Sequence, residues 1–193
     1  MKASLIITSL LCLLLAGCAT GKKVNFASTV ERGGVVYTVH DMQPFTGVVT
    51  NCYLDGKRKA SVEYRNGLKD GRTIEWRENG SRREMSSWRE GMRDGEQLHW
   101  YENQRKLFRG WMKKDKWVGE CTGWYPDERP AFQVCFQDGQ GTGKTIVIKW
   151  NKDNLIRKFP DVRVDGEWIE WDSSGRITRR EKYLNGKLVE KLK

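Results

Sequence analysis

Residues 64–84 have the sequence YRNGLKDGRTIEWRENGSRRE, in which two glycine-containing turns flank a short run of alternating apolar and polar residues. In that run Ile74 and Trp76 are separated by one polar residue, a period of two that indicates a strand with one buried face. The dipeptide Asn79-Gly80 follows and supplies the positive φ that a tight hairpin turn needs. Residues 64–84 therefore predict a β-hairpin together with the linker that precedes it.

The same unit recurs through the chain. The glycines that precede each predicted strand are spaced by 24, 24, 24, 24 and 23 residues, and they are Gly47, Gly71, Gly95, Gly119, Gly143 and Gly166. A fixed period of this length is the signature of a repeat array. We therefore predict an all-β fold, an elongated antiparallel meander of stacked ~24-residue hairpins that forms a single coiled sheet of roughly 13 strands.

Some units depart from the pattern. Residues 103–106, 127–130 and 151–154 lack the turn glycine, so these hairpin tips are expected to be longer or differently shaped. Residues 154–165 carry a one-residue deletion and Pro160, which predicts a bulge or an irregular connection. Residues 35–40 are expected to add a capping strand.

The repeated unit resembles the bacterial variant of the MORN repeat (membrane occupation and recognition nexus), in which N-G-K-x-D-G alternates with G-x-W-x-x-Y. Residues 32–49, RGGVVYTVHDMQPFTGVV, are similar to the lead-in found before such repeats. The resemblance covers residues 32–193 and implies association with proteins or membranes. Some bacterial relatives are labelled as antitoxins. Choline-binding repeats and YD-type repeats share Trp-rich and Gly-rich hairpins but match fewer positions.

The N-terminus carries a separate signal. Residues 5–16 are an apolar run that follows a short positive start and is too short to span a membrane comfortably. The run ends in Leu15, Ala16, Gly17 and Cys18, which closely resemble the lipobox of bacterial lipoproteins. That resemblance implies cleavage before Cys18 and a diacylglycerol on its thiol. The alternative is an ordinary signal peptide with a chance cysteine.

Three segments follow from this interpretation: a signal peptide at 1–17, the lipidated cysteine with a flexible linker at 18–34, and the repeat domain at 35–193. Acyl chains on Cys18 would anchor the exported protein in the lipid bilayer. In the lipoproteins of double-membraned bacteria that this segment resembles, an aspartate directly after the cysteine favours retention at the inner membrane. Ala19 stands at that position, so the resemblance implies the outer membrane, facing the periplasm, if the organism has two membranes. The acyl chains are the only cofactor-like group expected.

Composition limits the remaining functions. A hydrophobic content of 38% with nine Trp predicts a thin aromatic core. The stretch GQGTGKT at 139–145 imitates a P-loop, but the first glycine of that motif would fall on Asp138, and a β-branched run follows instead of a helix. Two His and scattered carboxylates predict no catalytic or metal site. Despite the net charge of +10, nucleotide and nucleic acid are not expected as partners of an exported protein.

Three cysteines remain after export and lipidation, in a compartment that permits disulfides. Cys121 and Cys135 lie seven residues on either side of Glu128 and are expected on the non-aromatic face, so a cross-strand disulfide is allowed if the turn is symmetric. Cys52 occupies a position where other units have Trp and is expected to be small and buried.

Two surfaces could bind partners. Every hairpin tip carries basic residues on its outgoing side. They could face an anionic lipid or polymer, or they could protect the edge of the sheet and aid solubility, and we favour the second interpretation. They are Arg58, Arg82, Arg83, Arg105, Lys106, Arg129, Lys152 and Arg176. An aromatic face with no second layer to cover it would bury itself by coiling or meet a partner. It is formed by Tyr64, Trp76, Trp88, Trp100, Trp124, Phe136, Trp171 and Tyr183.

The expected function is a non-enzymatic lipoprotein whose repeats form an interaction scaffold at the cell envelope. Its expected partner is another envelope protein or a second copy of itself. Two alternatives stay open: a binder of envelope glycans through the aromatic face, and an antitoxin-like or immunity protein that neutralises an exported partner.

Overall fold

The structure is a computed structural model that describes residues 22–40, 42–138, 145–150 and 155–192, with 155 and 156 described by their backbone alone. These residues form sixteen strands and one short 3-10 helix, Phe26–Ser28. The strands are β1 Lys22–Asn25, β2 Thr29–Arg32, β3 Val35–Thr38, β4 Gly47–Cys52, β5 Arg58–Arg65, β6 Leu68–Trp76, β7 Arg82–Arg89, β8 Met92–Trp100, β9 Lys106–Lys113, β10 Lys116–Trp124, β11 Pro130–Phe136, β12 Ile146–Trp150, β13 Leu155–Phe159, β14 Val164–Trp171, β15 Ile177–Leu184 and β16 Lys187–Lys191.

The main sheet has twelve strands in the order β1-β4-β5-β6-β7-β8-β9-β10-β11-β14-β15-β16. All neighbours are antiparallel except β1, which pairs parallel with β4 at one edge of the sheet. The predicted all-β meander of hairpins is therefore confirmed. Its first strand begins at Lys22, so the flexible linker expected over 18–34 is wrong for residues 22–32, which hold β1, the 3-10 helix and β2.

Four linkers, those between β5 and β6, β7 and β8, β9 and β10, and β15 and β16, are two-residue turns with positive φ at both central residues, which matches the right-handed twist of the flanking strands. Asn66 and Gly67 show this geometry with φ of 50° and 77°. The aspartate of the N-G-x-x-D-G pattern fastens the following linker, because the Asp70 carboxylate accepts the backbone N–H of Glu90 at 3.2 Å. Asp165 accepts the N–H of Asn185 at 3.0 Å in the same way. At these two places an aspartate at the start of one strand thus fixes the position of the next linker.

The hairpin tips at 103–106 and 127–130 lack glycine but have the same shape as a tip that carries it. The expectation of a longer or differently shaped turn is therefore wrong at these two tips. Gln104 and Glu128 take φ of 64° and 72°, close to the 81° of Gly80. The N–H of Gln104 donates to the Tyr101 carbonyl at 3.0 Å, as that of Gly80 donates to Arg77 at 2.9 Å. Turn hydrogen bonds and pairing of the flanking strands hold the residues there against the cost of a left-handed conformation, about 1 kcal/mol. Residues 151–154 lie outside the described residues.

One hairpin leaves the sheet. β12 and β13 pair with each other, and β11 pairs directly with β14. Hydrogen bonds from tyrosine hydroxyls to the next hairpin of the sheet show that one repeat unit is skipped. Tyr101 donates to the carbonyl of Trp124, 23 residues ahead, whereas Tyr125 donates to that of Trp171, 46 residues ahead. The irregularity predicted at 154–165 is thus the return of a displaced repeat unit.

The displaced hairpin covers one half of the sheet. Ile148 and Phe159 are buried at 2% and 0% exposure against Phe108, Phe132 and Phe136 of the sheet. Phe159 stacks at tilted or edge geometry on all three rings, at centroid distances of 4.9–6.3 Å. The expectation that no second layer covers the aromatic residues is therefore wrong, because the chain supplies that layer from its own repeat. A smaller cluster of Val36, Phe45 and Val49 closes the other end.

The covered side of the sheet is called the core face here; it includes Phe108, Phe132 and Phe136. The other side, which includes Trp111 and Glu120, is called the outer face. Residues paired across strands share a face and successive residues alternate. Gly123 lies on the core face so close to Phe132 that an added Cβ would stand 2.2 Å from the ring. Only glycine lets that ring lie flat on the sheet.

Candidate functional site

A cleft of about 580 Å³ opens on the core face where the displaced hairpin ends and the sheet lies uncovered. β13 supplies Arg157 and Lys158 from above, and β7, β8 and the β9–β10 turn supply the floor and far wall. The floor includes Glu84, Gln97 and His99. The cleft therefore exists only because one repeat unit folds over its neighbours.

Arg157 is the central group of the cleft. Its Nη2 lies 2.8 Å from Nε2 of His99, and its guanidinium carbon lies 4.0 Å from the centre of the Phe108 ring and 5.3 Å from that of Trp117. Burial lowers the pKa of Arg157 to about 10, so the group stays cationic at neutral pH. The ring faces stabilise this charge by cation–π attraction without neutralising it.

His99 is a neutral bridge between Arg157 and a carboxylate. Burial first, and then the charge of Arg157, lower the pKa of His99 to about 3. Its Nε2 accepts from Arg157, so the proton is assigned to Nδ1, which lies 3.5 Å from Oε2 of Glu84. Although this pair has salt-bridge spacing, the lowered pKa makes it a contact between a neutral ring N–H and a carboxylate.

The acids of the cleft are occupied within the protein. Glu84 lies against His99 and also accepts from the hydroxyl of Ser86 at 3.2 Å. Asp115 accepts the backbone N–H of Arg93 at 2.9 Å. A histidine with a pKa near 3 is a weak base at neutral pH, and burial raises the pKa of the nearby Cys121 thiol to about 12. These groups suit binding better than proton transfer or nucleophilic attack.

The cleft residues were not predicted from the sequence. His99 is predicted to project away from the face of Trp100, and it lies beside Phe108 on the core face as that requires. Nothing in a local pattern links it to Arg157, 58 positions later. The departure from the repeat at 154–165 was the only available signal, and it located the irregular unit without its partner.

The aromatic side chains do not share one face, so that prediction is wrong. One set pairs with the repeat glycines and lies on the core face: Tyr64, Trp88, Phe136 and Tyr183. The other set lies at the register shifts near each hairpin tip: Trp76, Trp100, Trp124 and Trp171. Trp76 is five residues after Gly71, and an odd separation along a strand places the two on opposite faces.

The basic residues of the hairpin tips are engaged largely within the protein. Arg58 and Arg82 lie over the indoles of Trp76 and Trp100 at 5.0 and 5.9 Å. The remaining contacts of this row are Arg83 with Glu75, Arg105 with the Pro126 carbonyl, Arg129 with Asp127, and Arg176 with Asp172. These contacts favour the interpretation as edge protection. Lys152 lies outside the described residues.

The disulfide prediction is wrong: Cys121 and Cys135 are both free thiols. Cys135 pairs with Glu120, and Cys121 pairs with Val134, so the two side chains lie on opposite faces. A bulge between Gly123 and Trp124 shifts the register by one residue, which the symmetric turn assumed from the sequence did not include. Cys52 is exposed, not buried as expected.

The predicted signal peptide and the lipobox residues Leu15, Ala16, Gly17 and Cys18 lie outside the described residues, as do Gly139 to Lys144 of the P-loop-like stretch. Over the part of the chain that the structure describes, no helix is long and apolar enough to cross a membrane. Within the same residues, no three His, Cys, Asp or Glu side chains gather as metal ligands would.

No protein-family model matches this chain, and no similar sequence was found among curated proteins. The MORN-like resemblance and the lipobox therefore stay predictions.

Proposed function

We propose that this protein is a membrane-anchored, non-catalytic lipoprotein of the cell envelope whose MORN-like repeats form a scaffold that binds another envelope protein. The observation that carries the proposal is the cleft. A regular repeat array is interrupted once in the described residues, and the interruption builds a concave, charged site. Departures from an otherwise consistent pattern are expected at functional sites.

The predicted tether supports the same function. Cys18 precedes Lys22, the first residue of the edge strand β1, by four positions. Four residues of extended chain span at most about 14 Å. An acyl chain on Cys18 would therefore keep this edge of the sheet close to the bilayer, where Lys22 and Lys23 can meet anionic headgroups.

Membrane anchoring is tested by replacing the predicted lipidated cysteine. In cells that express Cys18→Ser, the protein is expected to leave the membrane fraction, and its N-terminal peptide to lose the mass of the diacylglyceryl group. Cys52→Ser is the matched control, because it removes an exposed thiol of the folded domain and leaves the lipobox intact. Equal membrane retention of both variants would contradict anchoring through Cys18.

Scaffold binding is tested by photo-crosslinking in intact cells. A photoreactive residue at Lys158, on the rim of the cleft, is expected to capture a distinct partner protein. The same residue at the exposed Thr178, near the far end of the sheet, is the control position. Identical products from both positions, or none from Lys158, would argue against the cleft as the binding site.

A glycan-binding function is the second candidate, and a row of indoles on the outer face favours it. A slot of about 320 Å³ lies between Trp100 and Trp124. Arg82 lies over Trp100, whereas the residue at the same repeat position before Trp124 is Lys106. Indole faces flanked by polar groups suit stacking on a sugar ring. Trp124→Ala should abolish retardation of the protein in gels that contain envelope polysaccharide, and Trp111→Ala should not.

A further inference from the structure

We infer that the cleft between the displaced hairpin and the sheet is a binding site for a carboxylate side chain presented by an acidic segment of the partner protein. The inference rests on the proposed scaffold function and adds the chemistry that the partner must carry. Its elements are the guanidinium groups of Arg93 and Arg157, which line the opening, and Lys158, which adds a positive charge at the rim from the solvent side of the hairpin.

The cations of the cleft have no carboxylate as an ion-pair partner. Among the described residues, no carboxylate lies within salt-bridge distance of Arg93, Arg157 or Lys158. Arg93 lies over the indole of Trp88 at 5.1 Å, a contact that leaves its N–H donors free for an oxyanion. Lys158 is exposed at the rim, where its pairing with the exposed Val147 places its side chain on the solvent side of the hairpin.

The two acids of the cleft, by contrast, already accept hydrogen bonds from the protein. Glu84 is held by Ser86 and lies against the N–H of His99, and Asp115 is held by the backbone N–H of Arg93. An incoming ligand therefore meets positive charge whose partner is missing. Trp117, Met112 and Pro160 line the same space and displace water, which strengthens an ion pair formed there.

The balance of charge selects a carboxylate over a phosphate. Three cations against Glu84 and Asp115 leave the cleft with one net positive charge. A monoanion matches that charge, whereas a dianionic phosphate would bring excess negative charge close to both carboxylates. Arg93 also offers a planar guanidinium, whose paired N–H donors match the two oxygens of a carboxylate.

The test uses the full lipidated protein in neutral detergent and a fluorescent, N-acetylated tetraglutamate amide as the probe, with binding followed by anisotropy. Arg93→Gln is expected to weaken binding about tenfold, the loss typical of a charge-assisted hydrogen bond. Lys158→Gln removes an exposed charge at the rim and should weaken binding about threefold. Neither residue packs in the hydrophobic core or contacts His99, so the hairpin should stay in place. Lys182→Gln, an exposed residue of β15, removes the same charge elsewhere and should change binding less than twofold.

Competition distinguishes the sources of an oxyanion. Acetate, a monoanionic carboxylate, should displace the probe at lower concentration than inorganic phosphate. Stronger competition by phosphate would overturn the carboxylate assignment, and equal losses in the three variants would reduce the binding to non-specific charge attraction. Because the assay needs no membrane, probe binding that survives in Cys18→Ser would separate failure of the tether from failure of the cleft.

Discussion

Two halves of the same sheet differ in whether a second layer covers their core face. Over β9–β11 and β14 that face carries Phe108, Phe132 and Phe136, each at most 2% exposed beneath the displaced hairpin. Over β6 and β7 the equivalent surface carries Thr73 and Glu84, and in the described residues the displaced hairpin does not pack on it as a second layer. One backbone repeat thus supports either an aromatic core or a polar surface, depending on whether a second layer lies above.

The uncovered half must be stabilised mainly within one layer. Lys69 and Arg93 flank the indole of Trp88 at 4.4 and 5.1 Å, and the linker caps tie each hairpin to the next. Such contacts contribute about 1 kcal/mol each, less than burial of one phenylalanine. The covered half should therefore hold most of the tertiary stability, and the cleft lies at the boundary where that stability begins to fall.

The largest expected effect comes from breaking the second layer. Phe159→Ala removes a fully buried ring that contacts three phenylalanines and Trp117, and should lower the free energy of unfolding by about 3–5 kcal/mol. Urea unfolding measures the loss. Val147→Ala on the same hairpin, 45% exposed, should cost about 0.5 kcal/mol or less. Similar losses for both variants would mean that the hairpin does not form a core.

The boundary between the halves should be sensitive to pH. Since the pKa of His99 falls from 6.5 in the unfolded chain to about 3 in the folded state, only the unfolded chain gains a proton as pH drops below 6.5. Stability should therefore fall by about 1.4 kcal/mol per pH unit from somewhat below pH 6.5 towards pH 5, before most carboxylates titrate. His99→Gln should flatten this window. Denaturant midpoints of the two proteins that shift in parallel with pH would refute the assignment.

A smaller effect is expected where non-glycine residues occupy left-handed tip positions. Glu128→Gly in the covered half and Gln104→Gly at its border should each raise the free energy of unfolding by up to about 1 kcal/mol, because relief of strain exceeds the added chain entropy. Gly80→Ala reverses the change at an equivalent tip of the uncovered half and should destabilise. A loss of stability in either glycine variant would show that the native side chain contributes more than its strain.

The last prediction concerns the accessibility of the thiols, and it involves no change in the free energy of unfolding. In the native protein iodoacetamide should label the exposed Cys52 of β4 readily, but should reach Cys121 only after unfolding, because that thiol is buried and its pKa is raised to about 12. Mass spectrometry of unreduced peptides should find no bond between Cys121 and Cys135. Fast labelling of Cys121 would show that the covered half opens readily.

Local patterns in the chain were sufficient for the architecture. The spacing of the glycines, the alternation at Ile74 and Trp76, and the dipeptide Asn79-Gly80 are local features, and local features define hairpins because turn and strand preferences act over a few residues. Even the irregular unit was located by its missing residue and Pro160. The prediction of one aromatic face was wrong although the sequence contains the information needed. Trp76 lies five positions after Gly71, and an odd number of positions along a strand places two side chains on opposite faces.

Contacts between distant residues lay beyond such patterns. Whether the unit at 146–159 joins the sheet or lies on top of it depends on Phe108, Phe132 and Phe136, which offer an apolar surface up to 51 residues earlier in the chain. The pairing of Cys135 with Glu120 depends on a bulge, and the meeting of Arg157 with His99 depends on where the hairpin comes to rest. Repeats are encoded in short-range preferences, whereas the cleft arises from burial of aromatic surface, which acts on whatever the folded chain brings together.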